Sequence, residues 1–322
     1  MRMRFSTLLM VASLLLAGFS DYGNSQERRL APGVLTVISP EEEEGETFTG
    51  PVPIVEIIRG MPELDWTPNY DPKSATIFEK ARRVIFRRNI WALEFAFKPV
   101  RMLEVDVAQP SGKMQRKRIW YMVYRVRNTG YALQPKETVD RWQQTAFEIT
   151  EVNYQNRRFF PHLVLYSHEY KKEYLDRIIP AAQKAIQRRE NPGVKLHNSV
   201  EMTRVAVPLS EGRINRSVWG VATWEDIDPR IDFFSIFVRG LTNAFDFTDP
   251  EGGYKPGDPP GTGRVFRFKN LQLNFWRPGD SVLEHEREIH FGVPIDTDLA
   301  TQQEILKAYD LPERLDHRWV FR

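Results

Sequence analysis

The chain has 322 residues, of which 41% are hydrophobic and 12% aromatic, with 45 Lys and Arg against 43 Asp and Glu and no cysteine. That hydrophobic share supports a packed core rather than a disordered chain, and a net charge of +2 supplies no field to hold nucleic acid or an anionic membrane. The lack of thiols removes disulfides, thiolate metal sites and cysteine nucleophiles together.

At the N-terminus, Arg2 and Arg4 precede an apolar run from Leu8 to Phe19, and Gly23-Asn24-Ser25 follows with small residues. Charge, apolar core and small-residue site in that order predict a secretory signal over residues 1–25. The run is shorter than the ~20 residues a spanning helix needs, so the expectation is a periplasmic or secreted chain with no transmembrane segment once the signal is removed. Leu16-Ala17-Gly18 resemble the residues ahead of a lipidated cysteine, but position 19 is Phe, which excludes a thioether-linked lipid. An exported chain without disulfides depends on its core for stability.

Residues 26–70 read as a tether, because Glu41–Glu44 repel one another and Pro32, Pro40, Pro51, Pro53, Pro62 and Pro68 interrupt regular hydrogen bonding. Within it, Val34–Ile38 and Ile54–Ile58 are apolar enough to dock as edge strands. A helical turn begins near Ser74, where Thr76 and Glu79 have capping-box spacing. From Val84 a period of two dominates. Trp91, Leu93, Phe95 and Phe97 alternate with Ala92, Glu94 and Ala96; Leu103, Val105 and Val107 oppose Glu104 and Asp106. Gln109–Lys113 is a Pro-Gly turn, and Ile119–Arg127 the second arm of its hairpin, closed by Asn128-Thr129-Gly130. Further strands are expected at Ala146–Val152, Arg158–Tyr166, Glu201–Leu209, Val218–Trp224, Asp232–Gly240, Arg264–Trp276 and Arg287–Val293.

One helix interrupts the strands and a second lies beyond the last of them. Lys172–Glu190 carries apolar residues at helical spacing, with Pro180 as a kink and Asn191-Pro192-Gly193 as a stop. Leu299–Tyr309 is a short C-terminal helix capped by Asp298. Asp246–Gly263 is too rich in Gly and Pro for regular structure and reads as a surface loop. The fold expected is mainly β: an antiparallel, immunoglobulin-like sandwich over residues 71–295 with a helical insertion at about 172–190, then a helix and tail over 296–322.

The arm IWYMVYRVRNTG is similar to strand-turn segments of bacterial immunoglobulin-like domains. The blocks LDWTPNY, WALEFAFKPVRMLEVDVAQPSGKMQRKRIWYMVYRVRNTG, GVATWEDIDPRIDFFSIFVRGLTNAF and LQLNFWRPGD resemble an uncharacterised family of exported bacterial proteins. The resemblance implies location and a mainly β fold, and implies no activity or catalytic residue.

Several constellations invite a chemical reading. His285 and His290 flank Glu286 and Glu288 but stand at i, i+5, which fails the i, i+4 spacing of a helical zinc site and sends the rings to opposite faces of a strand. His162 and His168, at i, i+6, lie roughly 20 Å apart on a strand and cannot share a metal. Gly18–Tyr22 lacks the last glycine of a hydrolase elbow, and Gly261-Thr262-Gly263 has Phe266 where a dinucleotide fingerprint needs glycine. Asp226, Asp228 and Asp232, and Asp246, Asp249, Glu251 and Asp258, read as turn residues, with calcium as the alternative. Of the eight Trp residues, Trp91, Trp120, Trp219 and Trp224 lie in strands and at least half are core, whereas Trp142 and Trp276, near strand ends, are candidates for a binding surface.

No catalytic set, metal site or cofactor is expected from these residues. The leading expectation is a non-enzymatic binding or scaffolding protein of the bacterial envelope, its partner an envelope protein or a polysaccharide. The alternative is a carbohydrate-active hydrolase using two spatially paired carboxylates such as Glu169 and Asp226.

Overall fold

A computed structural model describes residues 35–60, 72–190, 193–212, 214–277, 289–292, 298–308 and 316–322. The expected signal, the Asn191-Pro192 helix stop and His285 lie outside these residues. In chain order come β1 (Thr36–Ile38), a 3₁₀ turn (Glu44–Thr47), β2 (Phe48–Val52), α1 (Val55–Ile58), α2 (Pro72–Ala81), β3 (Val84–Arg87) and β4 (Ile90–Trp91). Next are β5 (Glu94–Phe97), β6 (Arg101–Ala108), β7 (Met114–Arg127), β8 (Tyr131–Val139), β9 (Thr145–Asn153), β10 (Asn156–Arg158), β11 (His162–Ser167) and β12 (Lys172–Leu175). The remainder is α3 (Pro180–Glu190), α4 (Ser199–Met202), β13 (Ala206–Pro208), β14 (Val218–Glu225), β15 (Phe233–Arg239), β16 (Phe245–Thr248), β17 (Val265–Trp276), β18 (His290–Phe291), α5 (Leu299–Ala308) and β19 (His317–Phe321).

The architecture is a mainly β, antiparallel sandwich. In the first sheet β7 pairs β14 on one side and β5 then β6 on the other, and β1 adds to β5. In the second sheet β17 is the hub. It pairs β15 and β16 along one edge, and β19 and β18 along the other; β11 and β12 extend the sheet beyond β15. Alternation explains the core between them: Phe95, Phe97, Trp120, Met122, Tyr124 and Trp224 from the first sheet meet Leu165, Phe234, Ile236, Leu271, Leu273 and Phe275 from the second.

β7 is buried on both faces. Ile119, Tyr121 and Val123 point away from the main core and pack with Val221 under Ala182 and Ile186 of α3 and Ile179 just ahead of it. The helix is fixed there by a buried ion cluster. Its last residue, Glu190, accepts from Lys98 Nζ at 2.7 Å, Tyr121 Oη at 2.8 Å and Arg101 Nη1 at 3.0 Å. Burial raises the Glu190 pKa, but Lys98 and Tyr121 outweigh it and hold the carboxyl below its ordinary value of 4.5. The linker into α3 also joins the two sheets: Asp176 N–H donates to Leu163 O at 3.0 Å, and its Oδ1 accepts from Thr223 N–H at 2.8 Å.

Some expectations are corrected. Lys172–Glu190 is not one kinked helix: Lys172–Leu175 is the edge strand β12, and Pro180 opens α3, where a missing N–H leaves no bond unmade. Glu201–Leu209 is not one strand, because Asn198 and Glu201 form a reciprocal capping box that starts α4, and only Ala206–Pro208 is extended. Arg158–Tyr166 is interrupted before His162. Residues 246–248 of the expected loop belong to strand β16, and Thr76 lies inside α2 rather than at its cap. Ile54–Ile58 supplies a helical turn, not an edge strand.

The strand β8 was not expected after the Gly130 turn; it forms with β9 a ribbon that touches β4 only at Ala132 and Leu133. Residues 35–60, inside the expected tether, are docked. β1 pairs β5 as an edge strand, and buried Glu46 bonds the buried Lys269 ammonium of β17.

Two outcomes are expected. Lys98→Ala, which strands the Glu190 carboxylate, should destabilise by about 3 kcal/mol, and Lys98→Met with Glu190→Leu should recover most of that in urea melts. Because the folded pKa of Glu190 lies below its unfolded one, its contribution is complete above the unfolded value and drains away as pH falls through the folded value. Melts from neutral to acid pH should therefore lose a component that Glu190→Gln lacks. Secondly, a Cβ on Gly220 would stand 2.4 Å from Cζ of buried Tyr124. Gly220→Ala should cost about 1–3 kcal/mol by calorimetry.

Candidate functional site

β16 and β17 carry phenylalanine at alternate positions, so the register Phe245↔Phe268 and Phe247↔Phe266 puts four rings on one face of the second sheet. Phe266 and Phe268 are near-parallel, 22° apart with centroids at 6.2 Å. Phe86 of β3 meets Phe247 edge-on at 6.1 Å and extends the strip onto the next ribbon. Phe247 is buried and anchors the row, while Phe86, Phe266 and Phe268 remain 40%, 46% and 38% exposed. Guanidinium groups frame the strip: Arg264 lies 4.4 Å from the Phe247 centroid and Arg239 5.0 Å from that of Phe268. Arg264 is paired with Asp249 at 2.7 Å; Arg239 makes no ion pair among the described residues. Spacing F-x-F in two neighbouring strands was the available sequence signal.

The candidate tryptophans are separated from this strip. Trp142 is at the tip of the β8–β9 ribbon, 65% exposed, with the Arg141 guanidinium 3.8 Å from its ring centroid. Trp276, half-buried at the far end of β17, is stacked on His290 at 4.9 Å, so one of its faces is already covered. Trp120 and Trp224 are buried core, as alternation predicts.

One buried pair has the composition of a catalytic dyad: His168 Nε2 lies 2.6 Å from Ser235 Oγ. Its polarity can be traced from Arg318, which only donates. The Gln272 atom it meets at 2.9 Å is therefore Oε1, so Gln272 Nε2 is the donor to Asn274 at 2.9 Å. Asn274 then presents Oδ1, and Ser235 Oγ must donate to it at 2.7 Å. The only proton left for the His168–Ser235 contact is on Nε2. The histidine is a donor to the serine rather than its base, and Ser235 is fully buried. The network ties the residue after β11 to β15, β17 and β19.

The acidic candidates are likewise engaged. Glu169 accepts the Asp232 N–H at 3.2 Å, and both oxygens of Asp226 accept from Lys117 Nζ. Asp226 lines a cleft in which Glu169 takes no part. Arg230 holds Asp228 down to about pKa 2, and Asp258 caps the Lys255 N–H. The described residues present no group of three or more His, Asp or Glu placed around a metal position. Gly261–Gly263 is turn structure, with Gly261 N–H bonded to Glu56 at 2.8 Å. His168 is buried whereas His162 is exposed. No helix among the described residues is long and apolar enough to cross a membrane.

The hydrogen-bond polarity sets a clear expectation. Long-range ¹⁵N–¹H NMR at neutral pH should find His168 protonated at Nε2, and a serine-directed phosphonate should leave Ser235 unlabelled. A neutral Nδ1–H tautomer would reverse the direction. Comparison of the chain with protein families, with curated proteins and with solved structures finds no match.

Proposed function

We propose that the protein is an exported, non-enzymatic binding protein of the bacterial cell envelope, and that its ligand is an acidic polysaccharide lying along Phe86, Phe266 and Phe268. The observation that carries this reading is the row of exposed rings itself. Monomeric proteins seldom leave a contiguous aromatic patch in water without a use for it. Near-parallel rings repeating at every second residue offer flat apolar faces to the C–H faces of successive sugars, which suits a repeating polymer. Arg239, which has no ion pair among the described residues, complements an acidic group. Export is supported by the charge, apolar run and small-residue order of residues 1–25 and by the absence of cysteine. A non-enzymatic role is supported by the donor polarity of His168 and by the engagement of Glu169 and Asp226 with other groups.

Affinity electrophoresis in gels containing polygalacturonate, with dextran as the neutral control, tests this. Retardation by polygalacturonate is expected, weakened about tenfold or more in Phe266→Ala/Phe268→Ala, whose rings are exposed and whose melting temperature should change little. Retardation that the double variant leaves intact would overturn the assignment. So would binding only to envelope fragments that disappears after protease treatment, which points to a protein partner.

A further inference from the structure

At the opposite end of β17 from the aromatic strip, an open cleft of about 280 Å³ lies between the start of β7 and the turn that follows β14. Its floor is Trp120 and Met102. Along the β7 wall the charges are matched in pairs. Arg116 meets Glu104 at 3.0 Å, Arg118 meets the same carboxylate at 3.4 Å, and Lys117 is shared by Glu225 and Asp226, each at 3.0 Å.

Arg277, the first residue beyond β17, is different. It lines the cleft and is only 4% exposed, yet no carboxylate lies within ion-pairing distance among the described residues. Its Nε donates to Ile231 O at 3.2 Å and its Nη2 to Pro229 O. Those carbonyls orient the guanidinium, and the Trp120 ring centroid lies 5.9 Å from it. Nη1 has no hydrogen-bond partner among the described residues. A buried, permanently charged group is costly unless an opposite charge meets it.

We propose that this cleft binds a small organic carboxylate, with Arg277 as its anchor and Trp120 and Met102 receiving the apolar body. The cavity lies at the lower limit of ligand pockets, which restricts the occupant to a single small molecule or one terminal group. Asp232 also acts on Arg277 through space, from beyond ion-pairing distance. The guanidinium is thus only partly compensated among the described residues and has room for a single negative charge, so a carboxylate is assigned rather than a phosphate. The Asp226 carboxylate, which lines the cleft, would repel a dianion more strongly than a monoanion. Asp226 has a positive φ of 56°, which holds its side chain over Lys117. This site does not rest on the polysaccharide reading, and either can fail alone.

The test is NMR and calorimetric titration of the full mature chain with benzoate, glucuronate and inorganic phosphate. Saturable binding of benzoate or glucuronate is expected, with shifts at the Trp120 indole, and tighter than any binding of phosphate. Arg277→Gln should weaken it by about tenfold or more. Because that variant removes a buried group, Asp226→Asn gives a second arm: its side chain is 67% exposed, and the change leaves Lys117 paired with Glu225 alone and takes one negative charge from the cleft, so affinity should rise several-fold. No saturable shift in either wild type or Asp226→Asn overturns the proposal, as does phosphate binding at least as tightly as the carboxylates. Undiminished binding by folded Arg277→Gln overturns it too.

Discussion

The structure depends on β7 being apolar on both faces. An antiparallel strand usually keeps one face for water, but Trp120, Met122 and Tyr124 on one side and Ile119, Tyr121 and Val123 on the other are all buried. The first sheet therefore needs two covers. The second sheet supplies one and α3 the other, and α3 reaches its place only if its C-terminal carboxylate finds Lys98, Arg101 and Tyr121. The ion cluster contributes less by net attraction than by exclusion: any docking that left Glu190 buried without these partners would be heavily penalised. Asp176 then ties the same linker to the second sheet, so helix position and sheet spacing are set together.

Strand identity was largely legible because period-two alternation follows from backbone geometry alone. It located β5, β6, β7, β14, β15 and β17 to within a few residues. It failed where local chemistry competed with period. Ile178, Ile179, Ala182, Ala185 and Ile186 have helical spacing, yet upstream Tyr174 is buried in a strand and Pro180 begins the helix instead of bending it. β8 carries Pro135, Lys136 and Glu137, residues with low strand propensity, and so gives little period-two signal in the sequence. Pairings such as Lys98 with Glu190 leave no mark in sequence, since what joins them is the docking of α3 on β6.

The same limit applied to the site. Tryptophan drew attention on composition, but exposure follows from position: Trp120 and Trp224 went to the core, and phenylalanines in two neighbouring strands formed the open row. Acidic turns looked suited to cations and instead serve as counter-ions, Asp226 to Lys117, Asp228 to Arg230 and Asp249 to Arg264. Arg239, beside the aromatic row, and Arg277, in the cleft, have no ion pair among the described residues. Which charges are paired is visible only in three dimensions.

The contact of Lys269 with Glu46 has a consequence for the order of events in folding. It joins residues 223 positions apart, and β17, which carries Lys269, also needs β19 from beyond residue 316 to complete its far edge. Neither sheet can be finished from neighbouring segments, so loop closure must precede most of the gain from burial. A chain wired in this way folds slowly and late. Until both distant segments arrive, the edges of β17 stay unpaired and open to other strands.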